Sequence, residues 1–129
     1  MKTLLRFLFV PLAAVLLAAL TSCVPVAAGA AGAGTMAWVN GRLDATLESD
    51  YENVVTATNA AIKDLQFAKI SENKDALEAI LVARTAADKK IEIKIFKVVD
   101  KAAKVQIRVG FFGDQPLELT VLEKIKSNL

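Results

Sequence analysis

At 129 residues the chain has room for one hydrophobic core, and 54% hydrophobic residues suffice to fill it. Its 16 Lys and Arg against 14 Asp and Glu leave a charge of +2, far from the basic surplus that nucleic-acid binding needs. With no histidine and one cysteine, it lacks the commonest general base and metal ligand and cannot form an internal disulfide. That inventory argues against acyl-transfer and zinc chemistry, and the chain reads as a non-enzyme without metal or cofactor.

The first segment reads as a leader. Lys2 and Arg6 supply positive charge, and Phe7 to Leu20 is an apolar run. The run falls short of the roughly 20 residues that a spanning helix needs. Its layout is that of a signal peptide over residues 1–22. Leu20-Thr21-Ser22-Cys23 then resembles a bacterial lipoprotein box. The resemblance implies cleavage before Cys23, a diacylglyceryl group on its sulfur and, in many Gram-negative bacteria, an acyl chain on its new amine. Such chains, at about 0.8 kcal/mol per buried methylene, anchor a protein to a membrane. Residue 24 is Val rather than the Asp that retains lipoproteins at the inner membrane of enteric bacteria. The analogy therefore implies the cell envelope and the periplasmic leaflet of the outer membrane. Without Lys2 and Arg6 the remainder holds 14 basic and 14 acidic residues. This neutral balance argues against nucleic acid and against a polybasic membrane patch.

Residues 23–37 read as the lipidated cysteine and a flexible Ala/Gly tether, with a reach of about 20 Å. One domain then spans 38–129. Arg42 to Glu48 alternates polar and apolar, which predicts a strand with Leu43, Ala45 and Leu47 inward. Ser49 and Glu52 have capping-box spacing. A helix over 50–65 follows, with Tyr51, Val54, Val55, Thr58, Ala61, Ile62 and Leu65 on one stripe. Phe67 to Ser71 is a short, ambiguous strand, and Glu72 to Asp75 a polar turn. Leu77 to Arg84, Ile91 to Val98 and Val105 to Val109 read as three further strands, with Leu77, Ala79, Leu81, Ala83, Ile91, Ile93 and Ile95 inward. Short polar connections make consecutive strands antiparallel. Gly110 to Asp114 breaks the last strand, and Pro116 opens a second helix with a stripe at Leu117, Val121, Leu122, Ile125 and Leu129. The expected fold is α+β: a mainly antiparallel sheet of about five strands with two helices on one face, in the order β-α-β-β-β-β-α.

Three features are candidate sites. The glycine-bearing loop at 107–114 could hold an anion at a helix start. Asp114 already occupies that place as an anion and helix cap, so the loop reads as a strand-to-helix turn with Phe111 and Phe112 plugging the core. Asp44, Glu48, Asp50 and Glu52 form an acidic cluster without calcium-loop spacing, and two of them belong to a helix start, where acids are favoured. On the strands, alternation turns Ile80, Val82, Phe96 and Val98 away from the helices. They are expected to form an apolar patch that meets a protein partner or a second copy, unless other parts of the chain cover it.

The leader, the Trp38-Val39-Asn40-Gly41 opening and the Ile107-Arg108-Val109-Gly110-Phe111-Phe112-Gly113-Asp114 ending together resemble a family of small bacterial lipoproteins known as a domain of unknown function. The similarity covers roughly residues 37–129 and implies no activity and no catalytic residues. The leading expectation is an anchored periplasmic lipoprotein that presents a small non-enzymatic binding or structural module. The alternative is a carrier of lipid or small molecules, using a pocket between sheet and helices.

Overall fold

A computed structural model of the chain describes residues 35–99 and 101–129. The leader, Cys23 and the expected tether up to residue 34 lie outside the described residues. In chain order the elements are β1 (Thr35–Val39), β2 (Arg42–Leu47), α1 (Tyr51–Asp64), β3 (Ala68–Lys74), β4 (Glu78–Arg84), β5 (Lys90–Val99), β6 (Ala102–Val109) and α2 (Gln115–Ser127). The six strands form one sheet in the order β1-β2-β6-β5-β4-β3, with every neighbouring pair antiparallel. The α+β class is as expected, with six strands where about five were predicted.

The additional strand is β1, which takes up the last residues assigned to the tether. It joins β2 through Asn40-Gly41, with φ of 52° and 74°. Two consecutive left-handed residues make the type I′ turn whose twist matches a two-stranded ribbon. Thr35 to Val39 lacks polar–apolar alternation because the whole strand is exposed. Asn40-Gly41 was the signal available in the sequence.

The core has the expected register. Leu43, Ala45 and Leu47 of β2, Ala79, Leu81 and Ala83 of β4, Ile91, Ile93 and Ile95 of β5, and Val105, Ile107 and Val109 of β6 are buried on one face. From the helices, Val54, Val55, Ala61, Ile62, Val121, Leu122 and Ile125 close over them in a single cluster. Leu65 and Leu117 pack at its margin. Leu77 and Leu129 are exposed instead, because each lies beyond its element's end.

The ends of elements differ more. Helix α1 begins at Tyr51 with Asp50 as its N-cap, and no side chain caps it. Ser49 thus sits one residue too early for a capping box, and Glu52 pairs with Lys74 of β3 instead. At the other end Gln66 takes φ 58°, with Phe67 N donating to Ile62 O at 3.0 Å and Gln66 N to Lys63 O at 3.0 Å. These two bonds satisfy the last carbonyls in a Schellman motif. Strand β3 runs on to Lys74, through residues expected to turn. The turn comes later, where Asp75 Oδ1 accepts from Leu77 N at 2.7 Å and Glu78 N at 2.8 Å.

Helix α2 is capped by a side chain. Asp114 Oδ1 accepts from Leu117 N at 3.2 Å, and Oδ2 accepts from Lys89 Nζ at 2.9 Å. The Lys89 bond, and then the Leu117 amide, hold the Asp114 carboxyl below its usual range. Asp114→Ala is therefore expected to lower the urea midpoint at neutral pH, whereas Ser49→Ala leaves it unchanged. A depressed folded-state pKa stabilises above the unfolded value of about 4 and loses that contribution as pH falls through it. The gap between wild type and Asp114→Ala should accordingly shrink below about pH 4, as urea titrations across that range would measure.

Candidate functional site

The sheet face opposite the helices is mostly charged. Arg42 pairs with Asp44 at 2.7 Å, Lys104 reaches Asp44 at 3.7 Å, and Glu92 lies 3.6 Å from Lys94 and 3.9 Å from Lys90. Ile80, Val82 and Phe96 share this face and are half-buried. Their cross-strand partners are polar or charged: Asn73 and Lys94 flank Ile80, Ser71 and Glu92 flank Val82, and Glu78 and Lys104 flank Phe96. Val98 lies apart, exposed where the β5–β6 register shifts between Lys97 and Val99. The four residues thus form a narrow seam of three within a polar face, plus one outlier.

The most exposed large apolar side chains among the described residues lie elsewhere. Phe111 and Phe112, expected to plug the core, are 85% and 87% exposed. Gly110 and Gly113 take φ of 67° and 87°. Each reverses the chain in the left-handed region, so the two residues between them swing outward. The core needs no plug there, because Val109 fills the last inward position of β6 and Leu117 and Glu118 close that end. The two rings meet edge to face, with centroids 5.0 Å apart at 86°.

This tip is firmly seated. Gly113 packs against the backbone of Gly41 in the β1–β2 turn so closely that a Cβ on either glycine would strike the other loop's backbone. Arg108 Nη2 donates to Asn40 O at 2.8 Å, and Gly110 N to Lys90 O at 2.8 Å. Glu118 Oε1, fully buried, accepts from Val109 N at 3.3 Å and Asp114 N at 3.2 Å, one amide on each side of the loop. Asp114 and Glu118 thereby cap reciprocally, in the manner of a capping box with its acid one residue later. The spacing of these two acids is present in the sequence, and Glu118 was the residue that sequence reasoning missed.

Beside the tip, on the outer face, lies a groove of about 440 Å³ lined by Lys90, Glu92, Arg108, Gly110 and Phe111. Between sheet and helices the space is filled by Leu43, Leu81, Ile93, Ile107, Leu122 and Ile125, all fully buried. The acidic cluster does not assemble: Asp44 faces Arg42 and Lys104, Glu52 faces Lys74, and among the described residues no three acidic side chains converge as a metal site. Among the same residues no helix is long and apolar enough to cross a membrane.

A family model described as a protein of unknown function, DUF3568, matches residues 6–128. No curated protein matches the chain.

Proposed function

The chain belongs to the DUF3568 family, and from that premise we propose that it is a lipid-anchored envelope protein whose folded domain is a non-enzymatic binding module. The lipoprotein box ending at Cys23 supports the anchor, and Val24 supports the periplasmic leaflet of the outer membrane. The observation that carries the binding role is the Phe111–Phe112 tip. Burying one phenylalanine side chain contributes about 1.5–3 kcal/mol, and this fold leaves two exposed on a loop fastened at both ends. A pinned, convex aromatic pair fits an apolar pocket on another protein.

The test uses the full chain in intact cells. Cys23→Ser should abolish labelled palmitate incorporation, and survival of the label would refute the anchor. A photo-crosslinking residue at position 111 should form one discrete protein adduct, which Phe112→Ser removes. The same probe at position 96 examines the outer-face seam. Adducts at position 96 alone would move the binding surface to the seam, and adducts only to lipid at position 111 would refute the protein partner. Phe111→Ser itself should shift stability by less than about 0.5 kcal/mol, because the ring is exposed.

A further inference from the structure

We propose that β1 is the contact edge of a symmetric dimer, in which β1 of one copy pairs antiparallel with β1 of a second copy and the two sheets become continuous. Among the described residues the sheet has two edges, β1 and β3. Strand β3 carries Lys69, Glu72 and Lys74 and a register shift between Lys69 and Ser71. Charges and a bulge are the usual means of blunting an edge against pairing. Strand β1, Thr-Met-Ala-Trp-Val, carries neither charge nor proline, and it is regular over its five residues.

The edge is also complementary to itself. Val39 pairs with Arg42 across a two-residue turn, and such a turn closes on a hydrogen-bonded pair. Alternation then directs the backbone groups of Val39, Ala37 and Thr35 toward β2, and those of Met36 and Trp38 toward the open edge. A two-fold axis through Ala37, perpendicular to the sheet, sets Met36 opposite Trp38 of the second copy and Trp38 opposite its Met36. Both pairs then exchange N–H···O bonds in each direction, four in all by the antiparallel rule. Ala37 meets its own counterpart in the close, non-bonded position, about 4.5 Å between Cα atoms, where a small side chain fits.

Side chains follow the same symmetry. Met36 pairs with Ala45 and Trp38 with Leu43, so both lie on the helix-bearing face. They sit beyond β2 and β6, on which α2 packs, and are 52% and 37% exposed. Dimerisation would gather both copies' Met36 and Trp38 into one cluster between the two α2 helices, with sulfur against indole. A strand whose register satisfies itself about a two-fold favours a second copy over an unrelated strand, since an isologous contact uses the same patch twice. The two Phe111–Phe112 tips would then point in opposite directions along the strands, so one dimer would present two.

The proposal does not rest on the anchor or the tip, and its test separates them. Ala37→Cys in the full chain, oxidised in whichever cell fraction holds the protein, should give a disulfide-linked dimer. The wild type, whose only cysteine is Cys23, and Ser71→Cys on β3 serve as controls and should not. Met36→Pro removes an amide that faces the open edge, a position where proline is tolerated. It should abolish the crosslink in the Ala37→Cys background while preserving the far-ultraviolet spectrum. Trp38→Lys gives the same readout without altering the backbone. Crosslinking at Ser71→Cys equal to that at Ala37→Cys, or a crosslink that persists in both β1 variants, overturns the proposal. So does a monomeric mass for the wild-type chain in native mass spectrometry.

Discussion

Replacing Ile93 by alanine should destabilise the domain by about 2–5 kcal/mol. Ile93 is 1% exposed at the middle of β5, paired with Leu81 of β4 and Ile107 of β6, both fully buried. Two terms add: the transfer energy of the lost carbons and the cavity that close-packed neighbours only partly collapse. The total stability of small domains is about 5–15 kcal/mol, so one side chain here carries a large share. Urea unfolding should show a lower midpoint with an unchanged slope, because the surface exposed on unfolding hardly changes. Glu92→Ala, one position away on the outer face, is the control and should have a small effect, since exposed ion pairs are worth at most about 1 kcal/mol. If Ile93→Ala were as mild as Glu92→Ala, β5 would be shifted by one residue, which would exchange its two faces.

What could be read in advance was whatever burial imposes as a period. Ile91, Ile93 and Ile95 alternate with Glu92 and Lys94 because one face of β5 meets helices and the other meets water. The stripe from Val54 to Ile62 recurs at helical spacing for the same reason. Elements without a one-sided burial constraint left no such pattern. Strand β1 is exposed throughout, so its residues do not alternate and only its turn was legible. Helix ends are set by single hydrogen bonds rather than by a period: α1 starts one residue after the Ser49 spacing predicts, whereas α2 is capped by Asp114 as its sequence predicts. Hydrophobicity does not imply burial at Phe111 and Phe112, because the torsions of Gly110 and Gly113 direct both rings outward. Glu118 is the opposite case: a carboxylate at 0% exposure lies among apolar positions because the loop before it needs an acceptor.

That need sets the second large effect. Glu118→Ala should cost about 2–4 kcal/mol, since the buried Val109 amide left without a partner costs about 1–3 kcal/mol, the half-buried Asp114 amide costs less, and the lost side chain leaves a space. The two donors are Val109 N, at the end of β6, and Asp114 N, at the cap of α2. They stand on either side of Gly110 to Gly113, so the same substitution loosens the loop that carries the aromatic pair. Urea unfolding should report the global loss. Amide exchange at 110–113 should accelerate beyond what that loss alone produces. Glu118→Gln separates the acceptor from the charge, because its carbonyl can take the place of Oε1 and still receive both amides. Its amide nitrogen falls where Oε2 lies buried without a hydrogen-bond partner among the described residues. The glutamine variant should therefore fall between wild type and alanine in stability and keep the slow exchange of the loop. If it exchanges as fast as the alanine variant, the negative charge rather than the acceptor geometry holds the tip. A loosened tip should also lose its crosslink from position 111 although Phe112 is intact, because a pocket that receives two rings requires them in one fixed arrangement.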